Sequence, residues 1–151
     1  MTVSLTGSDV IIINANVLSD LADQDIADLT FPNDIAQAKT GKNGNSIYAL
    51  NESGRQADFK IRLIRGSGDD KFMNALLALQ LANFAAFPLM QGQFTKNVGD
   101  GTGNVTQDTY VLSGGIFVKV PAAKSNTEGN TDQSVVMYEM KFTNAPRTIG
   151  S

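Results

Sequence analysis

The chain has 151 residues, 42% of them hydrophobic and 18% charged, a net charge of -3 and a pI near 4.8. That is one globular domain, without the basic surplus a general nucleic-acid binder needs. It has no Cys and no His, which excludes disulfides, thiolate nucleophiles, Cys or His metal sites, Ser-His-Asp catalysis and histidine pH switches.

Area scaling gives a folded surface of roughly 7,400 Å² against about 23,000 Å² unfolded, enough burial for a sizeable core. Residues 1–8 lack the basic start and apolar run of a signal peptide. The longest apolar-rich stretch, 75–90, is interrupted by Gln80, Asn83 and Pro88 and is too short and polar to span a bilayer. The expected compartment is the cytoplasm, with any later destination reached by assembly.

In chain order, Val3 and Leu5 alternate with polar neighbours as a short strand, and Val10-Ile11-Ile12-Ile13 is a β-branched strand. Acids follow at Asp20, Asp23, Asp25 and Asp28. A strand over 26–31 stops at Pro32-Asn33-Asp34.

Residues 35–51 form a β-hairpin centred on Asn43-Gly44, whose residues both accept the positive φ of a type I′ turn. Its arms mix Ile35, Ala36, Ala38, Ile47, Tyr48 and Leu50 with polar residues on both faces, so it has no clean apolar face. Asn51-Glu52-Ser53-Gly54 is a turn. Over 55–65, Ala57, Phe59, Ile61 and Leu63 share one face and Asp58, Lys60 and Arg62 the other, the clearest amphipathic strand in the chain.

A helix over 69–86 follows, capped by Ser67 or Asp69 and ended by Phe87-Pro88. Its broad apolar set (Phe72, Met73, Leu76, Leu77, Leu79, Leu81, Phe84) predicts burial on more than one side. Residues 93–98 form a short strand, 99–106 a glycine-rich loop, and 109–120 a long strand with a bulge or bend at Gly114-Gly115. After a polar loop, the strand over 134–143 puts Val136, Tyr138, Met140 and Phe142 on one face and Val135, Met137, Glu139 and Lys141 on the other. The tail from Asn144 has little periodicity. No repeat or linker divides the chain. The fold class is mainly β with one α-helix: two packed antiparallel sheets, as a sandwich or partly open barrel, plus a long projecting hairpin.

Chemical motifs are weak. The four acids lack the glycine and terminal Glu of a calcium loop and read as a solvated surface. Gly99-Asp100-Gly101-Thr102-Gly103-Asn104 lacks the Lys-Ser/Thr ending and following helix of a phosphate loop. Asp69-Asp70 reads as helix capping rather than a carboxylate pair. Lys60, Arg62, Arg65 and Arg55 read as a solvated face or subunit interface. Val135, Met137, Val111 and Phe117 lie opposite the expected core, so their strands should be covered on both faces by the helix or another subunit. The hairpin is either a simple exposed element or an assembly arm that completes its burial against a neighbour.

The order and spacing of these pieces resemble the tail tube proteins of contractile-tailed bacteriophages. The resemblance rests on Phe31-Pro32-Asn33-Asp34, the tip Gly41-Lys42-Asn43-Gly44-Asn45, and Asn51-Glu52-Ser53-Gly54. It continues through Arg62-Leu63-Ile64-Arg65-Gly66-Ser67 and Asp69-Asp70-Lys71-Phe72, and extends over most of the chain as one tail-tube domain, 1–151.

The resemblance implies hexameric rings stacked into a hollow inner tube of the virion tail, assembled in the host cytoplasm. A tail sheath protein would surround the tube. Baseplate and tail-terminator proteins would bound it, and a tape-measure protein would occupy its lumen. Double-stranded DNA would pass through without specific binding. No enzyme activity, cofactor, metal or membrane contact is implied. The hairpin would reach an adjacent ring, with Lys39, Lys42, Asn43, Gly44, Asn45 and Tyr48 as contacts. Asp58, Lys60, Arg62, Glu139 and Lys141 would face the lumen or a subunit interface. Six subunits at -3 each would carry -18 per ring, a like charge that keeps DNA from sticking. The alternatives are a type VI secretion tube protein, which is similar in fold, a β-sandwich carbohydrate-binding module, for which the lack of Trp counts against sugar stacking, and a carboxylate hydrolase, which lacks a persuasive acid pair.

Overall fold

A computed structural model describes residues 2–22, 26–123, 125, 127 and 131–150. Among the described residues the chain is mainly β, with one α-helix and two antiparallel sheets, one large and one small. The strands are β1 (Ser4–Leu5), β2 (Val10–Ile13), β3 (Asn16–Val17), β4 (Ala27–Thr30), β5 (Ala36–Thr40), β6 (Ser46–Leu50), β7 (Ala57–Ile64), β8 (Met90–Gly99), β9 (Val105–Lys119), β10 (Val135–Asn144) and β11 (Arg147–Gly150). The helix α1 spans Gly68–Ala82. Nine strands form the large sheet, in the order β3-β2-β8-β9-β10-β7-β4, with β1 pairing β8 and β11 pairing β9. Strands β5 and β6 form the small one.

The large sheet folds over on itself. Strands β8 and β7 are three places apart in hydrogen-bond order, roughly 14 Å across a flat sheet. Yet the rings of Phe59 on β7 and Phe94 on β8 stack at 5.7 Å. The core fills the fold between the wings. Ala57, Phe59, Ile61 and Leu63 are fully buried, and Tyr138, Met140, Phe142, Leu112, Met90, Ile11 and Ile13 join them. Alternation on β7 and β10 therefore places their inward faces as the sequence predicts.

The bulge expected at Gly114-Gly115 is present and changes the face assignment of β9. Met90 pairs with Gly115 and Gly92 with Leu112, so β9 carries one extra residue there. Gly114 takes it up at φ +65°. Side-chain parity flips across the bulge. Val111 stays outward, but Phe117 turns into the core at 4% exposure, against the expectation that both share the outer face. Gly115 faces the ring of Phe142 so closely that a Cβ would lie 2.3 Å from Cε1.

The helix is shorter and less buried than predicted. It ends at Ala82, where Asn83 is extended (φ -154°, ψ 92°), and Phe84–Ala86 form a separate 3-10 turn. One stripe faces the sheet: Asp69, Met73, Leu77 and Gln80 are buried. Phe72 and Leu76 pack beside it, partly buried against the core, while Leu79, Leu81 and Phe84 are exposed. Ser67 is the N-cap, its side chain accepting from the Asp70 N–H at 3.2 Å. Asp69 does not cap the helix. Its Oδ2 accepts from the N–H groups of Ser19 and Asp20, each at 2.6 Å, fastening the chain after β3 to the helix.

Gln80 fastens the other end. Strand β8 stops pairing with β9 at Gly115. Beyond it, the Gln80 amide donates to the Phe117 carbonyl at 2.8 Å and accepts from the Phe117 N–H at 2.9 Å. The side chain thus pairs as one more strand residue would, satisfying a buried backbone edge.

The tail, expected to be irregular, is strand β11. It pairs with Gln107–Tyr110 of β9, and Arg147 clasps Asp108 through Nε at 2.7 Å and Nη2 at 2.9 Å. Strand β8 is also longer than the predicted 93–98.

Candidate functional site

Two surfaces carry the residues singled out from the sequence. The first is the hairpin. Residues 31–50 are all exposed, including both arms and the tip. At the tip, Gly41 N–H donates to the Asn45 carbonyl at 2.7 Å and Gly44 N–H to the Gly41 carbonyl at 3.1 Å. Only Gly44 has positive φ there, +83°. The turn is therefore type I followed by a left-handed glycine, the three-residue hairpin loop, and not type I′. One left-handed residue suffices, so Asn43 stays in the ordinary region.

This loop sets the register. Thr40 faces Ser46, Ala38 faces Tyr48 and Ala36 faces Leu50, so these six share a face. Lys39 faces Ile47 and Gln37 faces Ala49 on the other. The first face is apolar along most of its length, which corrects the reading of two mixed faces. Its small residues come from one arm and its large ones from the other, so neither arm alone shows the pattern. Alanines opposite Tyr48 and Leu50 leave a trough of about 290 Å³. Tyr48 is 77% exposed and Leu50 65%. The structure thus puts Tyr48 and Lys39 on opposite faces, with Lys42, Asn43, Gly44 and Asn45 at the tip.

The hairpin base is fastened. Asn51 N–H donates to the Ile35 carbonyl at 2.8 Å, and the Asn51 side chain caps the 3-10 turn Glu52–Arg55. Gly54 abuts the base: a Cβ there would lie 2.5 Å from the Asp34 carbonyl oxygen.

The second surface is the outer face of β4, β7, β10 and β9. It gathers all five predicted residues. Asp58, Lys60 and Arg62 alternate along β7, with Lys141, Glu139 and Met137 opposite them on β10. Glu139 bridges Lys60 at 3.5 Å and Lys119 at 3.4 Å, while Lys141 lies 3.8 Å from Asp58. That last separation is an ion pair without a hydrogen bond, and among the described residues Asp58 Oδ1 has no hydrogen-bond partner. Asp28 on β4 faces Lys60 from the other side. Lys60, Arg62, Lys119 and Lys141 thus stand against Asp28, Asp58 and Glu139, so this face is close to charge balance. The face carries +1 and the rest of the chain -4, which makes the net -3. Exposed pairs of this kind contribute little stability, about 0–1 kcal/mol each.

The remaining candidates disperse. Arg55 pairs with Glu52 at 3.3 Å, and Arg65 Nη1 donates to the Gln133 carbonyl. Of the acidic set, Asp20 accepts weakly from Asp69 N–H, Asp28 sits on β4, and Asp23 and Asp25 lie outside the described residues. Among the described residues no three carboxylates gather to hold a metal ion, and no helix is long and apolar enough to cross a membrane. The glycine-rich loop closes on Asp100, whose carboxylate accepts from the Thr102 hydroxyl, the Thr102 N–H and the Asn104 side-chain amide. Those bonds, led by the Thr102 hydroxyl, pull its pKa down to about 2. Asp70 accepts from Gly66 N–H and, at 2.7 Å, from the Tyr138 hydroxyl. Burial first, then that bond to Asp70, pushes the Tyr138 phenol well above its ordinary range. Asp28 and Asp108 line a common cleft of about 230 Å³ with Lys96 and Tyr110. The hydrogen bond from Arg147 holds Asp108 below the usual carboxylate range, which suits it poorly to act as a general acid.

The sequence reading missed Ala36, Ala38 and Leu50 as partners of Tyr48, and Lys119 as the third arm of the Glu139 bridge. Counting back from the Gly41–Asn45 loop finds the first three, since the loop fixes every pair. Lys119 needs the register of β9 against β10, which shifts between Phe117 and Lys119. No protein-family model matches the chain, and no curated protein matches it.

Proposed function

We propose that the chain is a self-assembling structural subunit, not an enzyme, which forms the stacked hexameric rings of an inner virion tail tube and so a conduit for DNA during ejection. The observation that carries the assembly reading is surplus surface. The chain exposes 9713 Å², roughly 2,300 Å² more than the area expected for a globular monomer of this mass. A standard interface covers about 800 Å² per partner, so the surplus corresponds to several such contacts. The exposed hairpin, with its apolar trough, and the exposed Leu79, Leu81 and Phe84 of the helix end contribute to it. Hexamers, stacking and the tail itself come from the resemblance in segment order. So do the sheath, baseplate, terminator and tape-measure partners and the passage of DNA.

The hairpin supplies inter-ring contacts through Tyr48, Leu50 and the tip, and the charge-balanced outer face of β7 and β10 lies at the lumen or between subunits. The like charge expected from the net -3 is not on this face; with its lysines engaged by Asp58 and Glu139, such a wall would neutralise few phosphates and so hold DNA weakly. The test is the double substitution Tyr48→Glu, Leu50→Lys. Both side chains are exposed, so the denaturation midpoint should stay within about 0.5 kcal/mol of wild type. Sedimentation should show the loss of rings or stacks that wild type forms. Undiminished assembly by the folded variant would overturn the hairpin's role.

A further inference from the structure

We propose that Asn43 is a site of spontaneous backbone modification, at which the hairpin tip converts through a succinimide to isoaspartate and aspartate. The Gly44 nitrogen attacks Cγ of the Asn43 side chain. The new C–N bond closes a five-membered ring, the Cγ–Nδ2 bond breaks, and the Gly44 N–H proton leaves with the nitrogen as ammonia. Water then opens the ring. Cleavage at the Cγ side gives aspartate. Cleavage at the backbone carbonyl side gives isoaspartate, with the main chain now running through Cβ and Cγ.

Three observations select this residue. It precedes glycine, whose missing side chain leaves the attacking nitrogen unshielded, and it is the one Asn-Gly pair in the chain. It is exposed within a run of exposed residues, and among the described residues its side chain makes no hydrogen bond. What restrains the Gly44 nitrogen is a single solvent-exposed hydrogen bond, 3.1 Å to the Gly41 carbonyl, of the kind that opens at little cost.

The other candidates are held or shielded. Asn45 is equally exposed and among the described residues its side chain makes no hydrogen bond, but the Ser46 side chain crowds the attacking nitrogen. Asn104 donates to Asp100 and precedes the branched Val105. Asn33 donates to the Ser53 carbonyl. Asp100-Gly101 could form the same ring from its carboxyl group, but that carboxylate accepts hydrogen bonds from Thr102 and Asn104 and stays ionised, which makes it a poor acyl group.

The consequence is structural. Isoaspartate lengthens the main chain by one carbon within a turn whose closing bond spans Gly41 to Gly44, and either product adds a negative charge beside Lys42. If the hairpin is the inter-ring contact, which rests on the reading above, an aged subunit would assemble poorly. The modification itself does not depend on that reading.

The test incubates the full-length folded protein at neutral and mildly alkaline pH. Peptide mass mapping and isoaspartate-methyltransferase labelling then locate the products. Modification should concentrate at Asn43, rise with pH, yield isoaspartate in excess, and run within about tenfold of the denatured chain's rate, since an exposed turn frays readily. Asn43→Gln, which forms the six-membered ring far more slowly, should abolish the signal while leaving the denaturation midpoint unchanged. Modification at Asn43 no faster than at Asn45, Asn104 or Asn33, or a folded-state rate far more than tenfold below the denatured one, would overturn the proposal.

Discussion

Replacing Gln80 with Leu tests how the helix is held to the sheet. The substitution keeps the approximate volume and helix propensity but removes both hydrogen bonds to Phe117, at 2.8 and 2.9 Å. The Phe117 N–H and carbonyl then face a buried apolar side chain. Each unsatisfied buried group costs about 1–3 kcal/mol. Burying Leu in place of Gln returns about 1–2 kcal/mol of transfer free energy. With both groups near the middle of that range the net expectation is a loss of about 2.5 kcal/mol, or roughly 5–10 °C in Tm for a domain of this size. Urea denaturation followed by circular dichroism reads it as a lowered midpoint at unchanged slope, which separates lost stability from a changed denatured state. Leu79→Gln is the control. That side chain is 57% exposed, and its substitution should move stability by no more than about 0.5 kcal/mol. A Gln80→Leu variant within about 0.5 kcal/mol of wild type would refute the argument that this side chain completes the edge of β9.

Gly115→Ala should destabilise by about 1–3 kcal/mol, because its Cβ would lie 2.3 Å from the Phe142 ring; thermal denaturation measures it. Asp69→Ala removes the acceptor for two 2.6 Å bonds and should cost about 2–4 kcal/mol, with hydrogen exchange accelerating at the Ser19 and Asp20 amides. Arg147→Ala should raise the Asp108 pKa toward the ordinary carboxylate value, as read by NMR titration. Since the folded-state pKa is depressed, the stabilisation is present above the unfolded carboxyl's pKa and lost as pH falls through the folded one. The gap between wild type and Arg147→Ala should therefore close in acid, and a gap that persists or widens there would contradict the assignment.

The parts of the fold that were legible in the sequence are those written in local alternation. Ala57, Phe59, Ile61 and Leu63 declare one buried face without reference to any other strand, as do Tyr138, Met140 and Phe142. What escaped depends on distant register. Strand β11 is four exposed residues, and only its pairing with β9 and the Arg147–Asp108 clasp make it a strand. Phe117 reads as outward until the extra residue at Gly114 reverses parity. Leu79, Leu81 and Phe84 look like core because helical spacing reports apolarity, while burial depends on which stripe the sheet can reach. Gln80 looks like an interruption of an apolar helix, and its partner lies 37 residues away.

The candidate surfaces divide the same way. Alternation on β7 and β10 brought Asp58, Lys60, Arg62, Glu139 and Lys141 onto one face, while the ion pairs needed the strand order. The hairpin was legible from Asn43-Gly44. Its apolar face was not, because it is shared between the two arms.

Assembly can be seen by negative-stain electron microscopy of the purified protein over a concentration series, with and without baseplate components as initiator. Six-fold rings or hollow tubes should form in at least one of those two conditions and increase with concentration. Small monomeric particles at every concentration in both conditions would contradict the assembly reading.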